Sequence, residues 1–340
     1  MMNTFPASML LQWHITERCN LRCSHCYQDN YQRNELSFTA LLKILEQFKE
    51  LLQACKQYRG NQIKAHITIT GGEPFVRDDF FDLLEVFASH SQLFSFAILT
   101  NGTFIDDSKA KLLSKLNPAF IQVSIEGTET THDGIRGKGN FAQTVATIKR
   151  LHANQIRTMI SFTAHRKNFR EFNEVAKLGQ KLGVNKVWSD RLIPWGSGVK
   201  EQMMSQAETK EFFEIMEQAK NRITWFNNTE IAMHRALQFL VAGGKPYQCT
   251  AGDTLLTVQA NGDLYPCRRL PIKVGNLTER NLLELYYNSK ILQDLRQHKV
   301  SDGCQKCLFA KACRGGLRCL SYAVSGDQFK ADPNCWLKST

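Results

Sequence analysis

The 340-residue chain contains no run of 18 or more apolar residues, which excludes an apolar membrane-spanning helix. Its start, Met1 to Ser8, lacks a basic stretch followed by an apolar core, so no secretory signal is expected. That leaves the cytoplasm, where thiols stay reduced, as the expected location. No segment repeats and none is of low complexity, and the lysines and arginines are dispersed rather than gathered in one run. This argues against a solenoid or a nucleic-acid-binding arm. Cysteine is absent from 56 to 248.

What is present is cysteine at the two ends. There are 11 in all, and only Cys55 lies outside the groups Cys19–Cys26 and Cys249–Cys335. A short secreted chain with this count would suggest disulfides; in a cytosolic chain of this length, metal or cluster ligation is the expectation. The 43% hydrophobic and 22% charged residues are ordinary for a globular protein. The length suggests one large domain and a smaller one.

From residue 9 to about 195, β-rich apolar runs alternate with amphipathic segments. Strands are expected at Leu10–Thr16, Ala65–Thr70, Phe94–Leu99, Phe120–Ile125, Thr158–Thr163 and Lys186–Ser189. The first helix is expected over Ser37–Cys55, with Leu41, Leu45, Phe48, Leu52 and Cys55 on one stripe, where Cys55 reads as core. Others fall at Asp78–Ser89, Asp106–Leu116, Asn140–Asn154 and Phe169–Leu182. Six βα units imply an α/β fold with a parallel sheet, and they are too few for a closed eight-stranded barrel. We therefore expect a partial, TIM-like (β/α)6 barrel over 1–195, with ligands at the C-terminal strand ends. A helical bridge over 196–245 would follow, with helices at Gln206–Asn221 and Thr229–Ala242, and then a small cysteine-rich domain over 246–340. That domain would open on a hairpin turning at Asn261-Gly262 and carry one helix near Arg280–Leu292. So little core implies dependence on metal for folding.

Cys19-x3-Cys23-x2-Cys26-Tyr27 puts three thiolates on a loop leaving a strand. Three ligands around a 4Fe–4S cube leave one iron open; a zinc site lacking its fourth ligand is the alternative. The run resembles the signature of the radical S-adenosylmethionine (SAM) enzymes. The resemblance implies that Cys19, Cys23 and Cys26 hold the cluster, that SAM chelates the open iron, and that reductive cleavage of SAM gives a 5′-deoxyadenosyl radical that abstracts a substrate hydrogen. Gly71-Gly72-Glu73-Pro74, at the end of the second strand, resembles the family motif that holds the SAM amino group. Ser124, in Ser124-Ile125-Glu126-Gly127, would meet SAM, and Arg136 would pair with its carboxylate unless it is a solvated surface residue. Thr163 is expected in the same pocket. Tyr27 belongs to the cofactor-binding set and Ile193 would pack on adenine, while Arg191 and Trp195 would face substrate.

At the other end, Cys249-x12-Gly262-x4-Cys267 precedes Cys304-x2-Cys307-x5-Cys313, Cys319 and Cys335. A zinc ribbon built on Cys304 and Cys307 uses too few of these seven cysteines. The layout resembles the SPASM domain of radical SAM enzymes, which implies two auxiliary 4Fe–4S clusters and three clusters in total. The second would take Cys304, Cys307, Cys313 and Cys335. The first would take Cys249 and Cys267, with Cys319 two residues beyond its usual place; Cys319 is then either a ligand beside an open fourth site or a free thiol. Ten thiolates add about −10 and the cluster cores about +6, so the formal +11 becomes roughly +7. The excess suits an acidic partner such as a peptide or a flavodoxin- or ferredoxin-type electron donor, and no nucleic acid is expected.

SPASM-bearing relatives mostly modify peptides or proteins, by crosslinking, epimerisation, excision or oxidation. The resemblance thus implies a maturase for a ribosomally made peptide. A tetrapyrrole or sulfatase-type oxidative maturase is the first alternative, and a non-catalytic iron–sulfur electron-transfer or sensor protein the second. The first strand starts about ten residues in, so no N-terminal leader-recognition module is expected; either a separate leader-peptide-binding protein would supply that role or the substrate would be recognised another way.

Overall fold

A computed structural model describes residues 6–28, 31–32, 34–60, 63–222 and 228–337. Six parallel strands form the body: β1 (Ser8–His14), β2 (Lys64–Thr70), β3 (Ser95–Thr100), β4 (Phe120–Ser124), β5 (Thr158–Ala164) and β6 (Lys186–Arg191). The helices between them are α1 (Phe38–Arg59), α2 (Phe80–Ser89), α3 (Asp107–Leu116), α4 (Glu129–Arg136), α5 (Asn140–Ala153) and α6 (Phe172–Lys181). The fold is the α/β partial barrel that the rhythm implied.

Period-two alternation sorts β1 into two faces. Met9, Leu11 and Trp13 are buried against the helical layer, where Trp13 stacks on Phe87 of α2. Gln12 and His14 point the other way: Gln12 accepts a hydrogen bond from Thr257, and His14 reaches a cavity at the strand ends. Helix α1 starts where the Ser37 side chain accepts from the Ala40 amide and stops at Gly60 in the left-handed region. Leu41, Leu45, Phe48, Leu52 and Cys55 are all buried along its inner stripe.

After α7 (Gln206–Asn221), the chain departs from expectation. Instead of a helix over 229–242, residues Glu230–Ala232 form β7, and only Phe239–Ala242 are helical, as α8. Strand β7 pairs parallel with β6, from Lys186↔Glu230 to Trp188↔Ala232. The open edge of β6 needs partners for its amides and carbonyls, and three residues with Ile231 and Ala232 buried supply them.

The sheet also grows at its other edge. Strand β8 (Leu255–Val258) pairs parallel with β1, from Leu10↔Leu255 to Trp13↔Val258. It turns through Asn261-Gly262 into antiparallel β9 (Asp263–Tyr265), beside β10 (Gly275–Asn276). The order is therefore β10-β9-β8-β1-β2-β3-β4-β5-β6-β7, so the cysteine-rich segment is an extension of the barrel wall. The helix expected over 280–292 is two, α9 (Leu282–Asn288) and α10 (Lys290–Arg296), broken where Ser289 is extended. Two more short helices follow, α11 (Ala310–Cys313) and α12 (Arg318–Ser325).

A buried ion pair fixes the last segment to the barrel. Arg191, at the end of β6, donates twice to Asp332, at 2.8 and 2.7 Å, and once to Asn334. Asp332 also accepts from the Leu317 amide. The Arg191 guanidinium thus holds the segment carrying Cys313, Cys319 and Cys335, while the residue also lines the cavity at the strand ends and its Nε is buried without a partner.

Candidate active site and cluster-binding cysteines

A cavity of about 480 Å³ opens at the C-terminal ends of the strands. Cys19, Cys23, Cys26 and Tyr27 line it from the loop after β1, with Gly71 and Gly72 from β2, Ser124 from β4 and Thr163 from β5. Arg136 and Ile193 also reach it. Ten of the eleven residues expected at the SAM site or its cluster therefore share one wall, and Glu73 lies behind it.

The paired glycines have a local steric reason. A Cβ on Gly71 would lie 2.4 Å from the Thr16 carbonyl oxygen, and one on Gly72 would lie 2.3 Å from that of Arg18. Only glycine lets the end of β2 lie on the strand-to-loop segment, where the Gly72 and Glu73 amides donate to those same two carbonyls. Gly196 plays the same part from the far side: φ is +63°, its Cβ would meet the Tyr27 carbonyl at 2.5 Å, and the next amide, Ser197, donates to Cys26.

Glu73 is fully buried, and its carboxylate accepts from Thr100 Oγ1 at 2.8 Å and from the amides of Asn101 and Phe75 at 2.7 and 3.2 Å. Burial pushes it up to about 7 against those hydrogen bonds. Its side chain braces the β3 turn instead of lining the cavity.

Arg136 is no solvated surface residue. Its Nη2 lies 2.6 Å from Glu126 Oε1, and its Nη1 lies 3.9 Å from Cys23 Sγ. His25 Nε2 sits 3.1 Å from the same Glu126 oxygen, while Oε2 accepts from the Thr163 amide. Burial opposes ionisation of Glu126, but the charges of His25 and Arg136 outweigh it and hold the carboxyl well below the usual range. Glu126 is thus the hub that ties the cysteine loop, α4 and the end of β5 together. Sequence reasoning quoted it only inside the Ser124–Gly127 run; a carboxylate two residues past Ser124 was the available signal.

His14 was also missed. Burial, then the charge of Arg268, pulls it down to about 3, so it stays neutral beside the Tyr27 hydroxyl at 3.4 Å.

The C-terminal cysteines fall into two sets. Cys304, Cys307, Cys313 and Cys335 line a small apolar pocket of about 30 Å³ together with Leu237 and Phe309. Cys319 is buried with Leu270 and Leu320 in a separate cluster, against which the half-buried Cys249 and Cys267 pack. Each of these three thiols feels the charge of another, and burial pushes Cys319 up to about 11. Among the described residues, no His, Cys, Asp or Glu group is arranged to hold a single metal ion. The thiol sets fit an iron–sulfur cube, which holds its ligands farther apart than one ion does. Three thiols line the large cavity and four the pocket between Cys304 and Cys335, the donor type such a cube takes.

Comparison with known proteins agrees with this donor chemistry. The radical SAM superfamily profile matches residues 13–179, and that of the SPASM iron–sulfur cluster-binding domain matches 249–308. The chain belongs to the radical SAM superfamily, carries a SPASM domain, and is an enzyme of that class. It is 26% identical to the AdoMet-dependent heme synthase of Methanosarcina barkeri (strain Fusaro / DSM 804), over 97% of this chain and 96% of that protein. It is also 26% identical to the mycofactocin maturase MftC of Mycolicibacterium smegmatis (strain ATCC 700084 / mc(2)155), over 97% and 83%. Streptococcus suis SuiB bound to S-adenosylmethionine shares the fold, with a TM-score of 0.76 and 18% identity over 98% of this chain and 78% of that one. Native anSMEcpe with bound AdoMet superposes with a TM-score of 0.77 and 19% identity, over 96% and 94%. The domains imply iron–sulfur clusters and SAM binding. No described helix is long and apolar enough to cross a membrane.

Proposed function

We propose that the protein is a cytoplasmic maturase that modifies a ribosomally made peptide with SAM and three 4Fe–4S clusters. The observation that carries this reading is the cavity itself. At about 480 Å³ it is of the size that holds a drug-sized ligand such as SAM, and it opens outward at the strand ends, where a side chain of a peptide can be presented. When bound, the N-terminal cluster and SAM supply a 5′-deoxyadenosyl radical for hydrogen abstraction.

The chain's own residues bind, orient and exclude water. Cys19, Cys23 and Cys26 hold the cluster and leave one iron for SAM. The Gly71–Gly72 backbone and the Ser124 and Thr163 hydroxyls offer polar contacts at the strand ends, and Tyr27 and Ile193 offer apolar walls. Arg136, held by Glu126, keeps one N–H edge toward Cys23, where it would pair with the carboxylate of SAM. Cys304, Cys307, Cys313 and Cys335 hold one auxiliary cluster, and Cys249, Cys267 and Cys319 hold the other. A flavodoxin- or ferredoxin-type protein donates the electron, and a separate protein binds the leader. MftC, named a mycofactocin maturase, supports this reading. The heme synthases at the same 26% identity support a second one, in which the substrate is a tetrapyrrole.

The test is anaerobic reconstitution with SAM and dithionite, following 5′-deoxyadenosine. A short peptide encoded beside this gene is expected to accelerate its formation and to be modified. Acceleration by iron-coproporphyrin alone would overturn the peptide reading in favour of the second.

A further inference from the structure

Among the described residues, four arginines reach the wall of the large cavity: Arg136, Arg191, Arg268 and Arg269. Three are neutralised. Arg136 lies on Glu126 and Arg191 on Asp332, while Arg269 shares Asp190 with Arg235. Arg268 has no ion pair or hydrogen bond among the described residues, and its Nε is buried without a partner.

Among the described residues, no carboxylate of the wall forms an ion pair with Arg268. The wall's carboxylates are Glu17 and Asp190. Asp190 is claimed by two guanidinium groups, and Glu17, one of whose carboxylate oxygens is buried without a hydrogen-bond partner, forms no ion pair with Arg268. The guanidinium of Arg268 lies 5.9 Å from the centre of the Tyr27 ring, and its charge depresses His14. It follows Cys267 in the chain and faces the loop of Cys26 and Tyr27, so it stands between the two halves of the site. A guanidinium nitrogen buried without a partner is costly, and the planar fork of a half-buried arginine matches a carboxylate.

We propose that Arg268 is the specificity-determining anchor of the site, pairing with a carboxylate on the substrate: a peptide C-terminus or an acidic side chain. This rests on the peptide reading above. The one other carboxylate with access is that of SAM, and the experiment separates the two.

Holoenzyme saturated with SAM is titrated anaerobically with matched probes, and binding is measured by equilibrium dialysis. N-acetyl-glycyl-alanyl-tyrosine is compared with its C-terminal amide, and N-acetyl-glycyl-aspartyl-alanine amide with its asparaginyl counterpart. Coproporphyrin III is compared with its tetramethyl ester. In at least one pair the acid is expected to bind about tenfold tighter or more. Arg268→Gln should abolish that preference and Arg268→Lys should keep part of it, with iron content as the control for folding. SAM, dialysed separately, should bind Arg268→Gln within about twofold of the parent.

No acid preference in any pair, or one that survives Arg268→Gln, overturns the anchor. A weakening of SAM binding by about tenfold in Arg268→Gln overturns it too, because it places SAM's own carboxylate there. Preference confined to the porphyrin pair leaves the anchor standing and overturns the peptide reading. Absence of all preference while a peptide still accelerates 5′-deoxyadenosine formation overturns the anchor alone.

Discussion

The cysteine loop after β1 and the four cysteines from Cys304 to Cys335 present the same ligand chemistry in opposite surroundings. The first opens on a cavity of about 480 Å³ with polar strand ends around it. The second lines an apolar pocket of about 30 Å³. On the reading proposed above, three thiolates beside a large cavity would leave an iron for a substrate or cofactor, whereas four thiolates would satisfy a cluster completely. The difference would then separate a site that does chemistry from one that holds or passes electrons and staples the chain.

The hardest test of that contrast is a matched pair of substitutions. Cys23→Ala should abolish measurable 5′-deoxyadenosine formation and lower bound iron from about twelve to about eight per chain. Cys313→Ala should cost a similar amount of iron but leave cleavage of SAM detectable. Its larger effect should be on the thermal midpoint, because the segment it belongs to has little core of its own. Equal losses of SAM cleavage in the two variants would erase the distinction.

A smaller change probes the third set, which sits between the two extremes. Cys319 is buried in a cluster of side chains against which the half-buried Cys249 and Cys267 pack, a placement that favours the ligand role over the free thiol. Cys319→Ala is expected to lower iron and acid-labile sulfide by up to about four atoms each. An unchanged count near twelve would leave Cys319 as a thiol beside a cluster it does not bind.

Much of the architecture was legible because local pattern and tertiary role agree. The alternation in β1 and the stripe of α1 each bury the residues their periods select. The segment 229–242 was not legible, since its short strand exists only to cover the edge of β6. Partnerships across the chain were equally hidden. Arg191 read as substrate-facing, but its partner Asp332 is 141 residues away. Glu126 and Arg268 are visible as residue types in the sequence, yet whether a charge is matched or left over depends on which others fold beside it.

The smallest expected effect concerns the brace behind the cavity wall. Glu73 ionises near pH 7 in the fold against an ordinary value of 4.5, because burial outweighs its three hydrogen bonds. A carboxyl raised in this way favours the fold while protonated. Its contribution is intact below 4.5 and lost as pH rises through 7. The full swing is at most ~3 kcal/mol. Glu73→Gln removes the titration, but it turns one amide donor toward the donors of Thr100, Asn101 and Phe75, a fixed cost of about 1–2 kcal/mol. The parent should therefore be the more stable protein at pH 5, and its lead in thermal midpoint should shrink as the pH is raised to 8. A lead that widens instead would mean that Glu73 is held as a carboxylate, with its hydrogen bonds stronger than its burial.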